Sequence, residues 1–170
     1  SIKLFNNDTI RKINFKFKHT EKNTNLFNID LDYQNLKISS DNLKLEKKNN
    51  KYLVSGNIKN YNSIIDEKLI NNHIENINLK NLVFSSDSNF SFEINKKLKL
   101  ENLNLKSNID LENAEYYINN SNLEEIFPNF TNKIDIKKNK IYLEYGNNLK
   151  ISGKGEFFIS EKKENIEYSI

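Results

Sequence analysis

The chain has no cysteine, methionine or tryptophan, and only one proline and four glycines in 170 residues. Without cysteine there is no disulfide framework, no thiolate metal site and no thiol nucleophile. No apolar run approaches the ~18 residues that cross a bilayer as a helix. Arginine is nearly missing as well: Arg11 stands alone against 25 lysines. Base-reading proteins lean on bidentate arginine contacts, so nucleic acid is not an expected partner. The formal charge is +3, from 26 basic and 23 acidic residues. They are interspersed, so no face reads as a phosphate-tracking stripe.

Chemistry-bearing clusters are scarce too. His19 and His73 are the only histidines and have no metal-ligand spacing. The close acidic pairs are Asp30/Asp32 and Glu124-Glu125, and solvated acids of an ordinary sheet account for them. Gly153-x-Gly155 lacks the third glycine and the helix of a phosphate loop, and there is no GxSxG elbow. An enzyme is therefore not expected, nor a metal or cofactor. Asparagine is abundant, with 33 residues, ahead of lysine with 25 and isoleucine with 22. The codon usage of an AT-rich genome produces such a bias, so asparagine itself is not read as functional. The Asn-x-Ser/Thr sequons at Asn7, Asn89, Asn119 and Asn129 occur at the frequency chance gives.

What is present is period-2 alternation. Ile13, Phe15 and Phe17 alternate with polar residues, as do Phe27, Ile29, Leu31 and Tyr33. Phe90/Phe92/Ile94, Leu103/Leu105, Ile141/Leu143/Tyr145 and Phe157/Ile159 continue the pattern. Alternate residues of a strand point to opposite faces, so each segment has one apolar and one polar side. The expected fold is mostly β, a long twisted antiparallel sheet wetted on one side, with one or two short helices. The turns are rich in Asn and Lys, as at Lys47-Lys48-Asn49-Asn50 and Asn95-Lys96-Lys97. Asparagine tolerates positive φ, so it can stand in for the scarce glycine.

The apolar phase slips by one residue between Leu79 and Leu82, and again between Leu100 and Leu103. A β-bulge at each place would restore the facing. Two stretches break the alternation. Ser121 and Glu124 have capping-box spacing before Pro128, which predicts a short helix over 122–127. Ile64, Ile65, Leu69 and Ile70 after Ser63 predict a second over Ser63 to His73. Val54-Ser55-Gly56 and Ile151-Ser152-Gly153 echo one another, and a strand glycine marks a bulge or a close backbone approach. The chain is expected to form one unit, 1–170, with a subdivision near 96, and to be a segment of a longer protein whose anchor or leader lies outside it.

About twelve strands at ~4.8 Å make a sheet ~58 Å wide. The inward residues are read as almost all bulky, whereas facing sheets interdigitate large with small. Curled but unclosed, such a sheet would leave an apolar gutter far larger than a soluble monomer exposes. The alternative is the ordinary core of a closed β-sandwich, a structural or adhesive domain of a surface protein with no ligand.

The block Leu82-Val83-Phe84-Ser85-Ser86, Phe90-Ser91-Phe92-Glu93-Ile94-Asn95 and Leu98-x-Leu100-x-x-Leu103-x-Leu105 resembles the AsmA-like proteins, in particular the YhdP/TamB group. So do Ile126-Phe127-Pro128 and the closing Leu149-Lys150-Ile151-Ser152-Gly153-Lys154-Gly155. The resemblance implies a repeating β-groove in an inner-membrane-anchored periplasmic bridge that carries phospholipids toward the outer membrane. A eukaryotic chorein-type lipid bridge would show similar alternation. The implied partners are phospholipid acyl chains and neighbouring β-groove segments. The implied groove lining is Phe15, Phe17, Phe27, Ile29, Leu31, Val54, Leu79, Phe84, Phe90, Phe92, Leu103, Leu105, Ile141, Leu143, Ile151 and Phe157, with no catalytic residue.

Overall fold

Alternating residues and polar turns give strands that can pair only with their sequence neighbours. The computed structural model describes residues 2–3, 9–33, 36–65, 67, 70, 78–118, 132–159 and 162–170. In it the strands are β1 (Ile2–Lys3), β2 (Thr9–His19), β3 (Asn23–Tyr33), β4 (Leu36–Lys48) and β5 (Lys51–Ile65), then β6 (Leu79–Asn95), β7 (Leu100–Tyr117), β8 (Lys133–Tyr145), β9 (Leu149–Ile159) and β10 (Lys162–Ser169). They form one sheet in the order of the chain, β1 to β10, with every neighbouring pair antiparallel. The sheet is open, and β10 pairs with β9 alone.

Ten strands replace the twelve expected. The segments around Leu82, Phe84 and Phe90 merge into the 17-residue β6, and those from Leu100 to Leu111 into the 18-residue β7. Merging is possible because single-residue bulges absorb the phase slips. Asn81 and Asn102 have φ of 52° and 53°, and the β6–β7 register shifts beside each. Lys12, Asn28, Asn62 and Lys138 have the same left-handed backbone inside β2, β3, β5 and β8. Of the nine described non-glycine residues with positive φ, six are asparagine, and no described glycine has one. Asparagine thus takes the role glycine usually has, because its short polar side chain lowers the cost of that conformation.

Ser63 is not a helix cap. Ser63–Ile65 extend β5, and Ser63 pairs with Phe84. Glu67 and Ile70 are helical, and the rest of that expected helix lies outside the described residues, as does the one over 122–127. Residue 96 falls in the β6–β7 turn.

The solvent-accessible surface is 12570 Å² for 20.1 kDa, against about 8,700 Å² for a globular monomer of that mass. No large side chain among the described residues is fully buried. A second layer of β-structure would bury one face of the sheet, and no described strand supplies it.

Candidate functional site: the apolar face

Residues paired across strands share a face, so the register tells where each side chain belongs. Phe92 pairs with Val54, Phe90 with Leu105 and Gly56, and Phe84 with Leu111 and Ser63. Leu105 continues to Tyr145, Ile109 to Ile141, and Ile141 to Gly153. On the other side Gly56 leads to Leu43, Leu43 to Leu26, and Leu26 to Phe17. Carried through the bulges, this places fifteen of the sixteen expected lining residues on one face of one sheet. They are Phe15, Phe17, Ile29, Leu31, Val54, Leu79, Phe84, Phe90, Phe92, Leu103, Leu105, Ile141, Leu143, Ile151 and Phe157.

Phe27 is the exception. It pairs with Lys16 and Asn42 on the polar side, while Leu26, paired with Phe17 and Leu43, takes the apolar place. The cause is the bulge at Asn28, φ 48°, which shifts the alternation by one residue before Ile29.

The middle of this face is bulky only at Ile58 and Ile109, paired with Ser88 and Ser86, contrary to the expectation. Ser40, Gly56, Ser63, Ser86, Ser88, Ser107, Ala114, Asn139, Gly153 and Gly155 lie on it between two apolar arms of each central strand. In β6 the arms are Leu79/Leu82/Phe84 and Phe90/Phe92/Ile94; in β8 they are Ile134/Ile136 and Ile141/Leu143/Tyr145. Every buried strand residue is on this face: Ile29, Ser40, Val54, Ser63, Ser107, Ala114 and Asn139. Several of the polar members are hydrogen-bonded within the sheet. Ser88 Oγ and Ser107 Oγ are 2.7 Å apart, Ser86 Oγ donates to Asn60 Oδ1, and Asn139 Nδ2 donates to the carbonyls of Lys137 and Glu156. Small residues are required here by close approach. A Cβ on Gly56 would stand 2.6 Å from the Asn42 carbonyl oxygen, one on Gly153 would meet the Tyr168 hydroxyl at 2.5 Å, and one on Gly155 would collide with the Asn139 amide. The echoed Ser-Gly pairs of β5 and β9 therefore mark the same kind of place, a strand pressed against its neighbour.

The apolar arms stay partly open. Phe15 is 50% and Phe17 68% exposed, and Phe90 and Phe92 stack with ring centroids 5.8 Å apart. Nine spacings of ~4.8 Å by ~40 Å of strand give a face of roughly 1,700 Å². Soluble monomers rarely expose an apolar patch beyond a few hundred Å².

The opposite face carries the charges. Lys51 bonds Glu93 at 2.9 Å and Glu101 at 3.0 Å; Lys106 bonds Glu144 at 3.1 Å, and Lys133 bonds Asp135 at 2.9 Å. The Lys51 ammonium holds both glutamates below the usual carboxylate range, helped by Asn102 at Glu93 and Asn95 at Glu101, and they raise Lys51 in turn. Asp30 and Asp32 lie on this polar face as well, with Asp32 tied to Lys12 at 3.0 Å. His19 Nδ1 is 2.8 Å from Thr24 Oγ1. Glu124-Glu125 and His73 lie outside the described residues. No group of three His, Asp or Glu side chains among the described residues could hold a metal.

What this arrangement offers is a wide apolar strip with small and polar residues along its middle and most of the charge on its back; Lys47, Lys162 and Glu164, paired with Tyr52, Ile159 and Phe157, are charges on the apolar side. No family model, curated protein or solved structure matches the chain.

Proposed function

We propose that the chain is a segment of a bridge-like phospholipid carrier, in which acyl chains lie on the apolar face and headgroups stay in water. The observation that carries this reading is the open ten-strand sheet with most of its bulky apolar residues on one face that no described strand covers. Each buried CH₂ of an acyl chain gains ~0.8 kcal/mol there, enough to offset leaving a membrane. The contacts are non-directional and repeat from strand to strand, so no single position traps the lipid. In this reading, which follows the sequence resemblance, the segment works in the periplasm, tethered to the inner membrane from outside these residues, with further groove segments as neighbours.

A ligand-free sandwich needs an opposing layer, and no described strand supplies one. The test is organic extraction of the purified 170-residue chain followed by mass spectrometry. The expected result is co-purifying phospholipid in stoichiometric amount. A monomeric chain free of lipid would overturn the reading.

A further inference from the structure

We infer that the β2–β3, β4–β5 and β6–β7 turns form a rim that docks on the surface of an anionic phospholipid bilayer, with Leu98 inserted among the headgroups. In an antiparallel meander every second turn emerges at the same side of the sheet. Here Lys47 N donates to Lys22 O at 2.8 Å, and Lys51 pairs in register with Asn95, so the three turns stand side by side. From Thr20 to Asn23, Lys47 to Lys51 and Asn95 to Lys99 they hold seven lysines and one carboxylate, Glu21. Lys51 is engaged by Glu93 and Glu101. Lys22, Lys47, Lys48, Lys96, Lys97 and Lys99 form no salt bridge with a described carboxylate, and Lys48 and Lys99 act only through space on Glu46 and Glu101. Six lysines outside any salt bridge with a described carboxylate thus lie along a rim ~24 Å wide, about five strand spacings. Glu21, Glu46, Glu93 and Glu101 offset only part of this charge, and an external anion would offset the rest.

Leu98 makes the occupant a membrane rather than any polyanion. It is 84% exposed and stands between Lys97 and Lys99 with φ 58°. A bulky side chain is strained in that conformation. The chain puts asparagine at six of its nine such positions, and Leu98 is the one apolar residue among them. The turn is held firmly: Leu98 N donates to Asn95 O at 2.9 Å, and Asn95 Oδ1 accepts from Lys97 N at 2.9 Å and Lys99 N at 3.1 Å. A rigid tip that presents a strained, exposed leucine among lysines matches an interface of anionic headgroups above hydrocarbon. Leu100 and Tyr52, 55% and 41% exposed, stand just behind it.

The inference concerns turn residues and stands apart from the acyl-chain reading. The test is flotation of the 170-residue chain with vesicles of phosphatidylcholine, alone or with about 30% phosphatidylglycerol, in low and high salt. Binding to the anionic vesicles is expected to be about a hundredfold tighter and to fall with salt. Lys96→Glu with Lys97→Glu and Lys99→Glu should abolish that preference. Leu98→Asn, which suits the backbone, should weaken vesicle binding about tenfold while leaving heparin binding as in the unmodified chain. Lys37→Glu, at the opposite end of β4 from these turns, should leave docking unchanged. Equal binding to both vesicles, or a Leu98→Asn variant that docks as well as the unmodified chain, would overturn the inference; the second result would mark a general polyanion site.

Discussion

Replacing Phe92 by aspartate tests the groove at its middle. Phe92 stacks on Phe90 at 5.8 Å with the rings 20° from parallel, and it sits directly across from Val54, which is 7% exposed. Because Phe92 is only partly buried, losing its ring removes about half of a full phenylalanine burial, ~1–2 kcal/mol. The stacked pair adds ~1 kcal/mol. The total of ~2–3 kcal/mol is a fraction of the 5–15 kcal/mol typical of a folded domain, so the sheet should persist with a lower urea midpoint. The effect on lipid should be larger than that on the fold. An acyl chain crossing this point must desolvate a carboxylate, which costs several kcal/mol, or roughly a thousandfold in passage rate. The assay pairs urea denaturation with quantitation of extracted phospholipid, and Phe92→Leu serves as the apolar control. A folded Phe92→Asp chain that carries as much lipid as the unmodified one would refute the assignment of this face.

Further outcomes are expected. Leu98→Asn should raise stability by ~1 kcal/mol by relieving the left-handed strain, read as a rise in thermal midpoint. Gly155→Val should lower the urea midpoint by an amount equivalent to ~2–3 kcal/mol, because its side chain displaces the Asn139 amide from the Lys137 and Glu156 carbonyls. Ser63→Ala should be neutral or stabilising by up to ~1 kcal/mol, since Ser63 Oγ is buried without a hydrogen-bond partner. Glu93 and Glu101 are held below their unfolded values by Lys51, so their stabilising effect is present above the ordinary carboxylate range and fades as pH falls through their lowered folded values. Lys51→Gln should therefore flatten the acid limb of the thermal midpoint measured from neutral pH downward.

The strands were legible because alternation survives any codon bias: a position either faces water or does not. The slips at Asn81 and Asn102 were legible too, since each leaves two polar residues in a row. The slip at Asn28 was not. Leu26 and Phe27 are adjacent apolar residues, and either can begin the series that runs on to Ile29 and Leu31. Only pairing with Lys16 or Phe17 decides between them. The serine band escaped for a related reason: Ser86, Ser88 and Ser107 read as polar interruptions until pairing shows that they share a face with Phe90 and Leu105. The lysine turns were visible one at a time. Their assembly depends on every second connection emerging at one side, a property of topology that no local window contains.

Because each described strand is hydrogen-bonded only to the strands before and after it in the chain, the sheet behaves as a one-dimensional array whose stability is approximately a sum of adjacent-hairpin terms. Such an array can begin to zip up at any hairpin, and the loops it must close are short. It also grows without redesign: duplication of one hairpin in the gene would lengthen the sheet by about 10 Å and leave nearly every existing contact as it was.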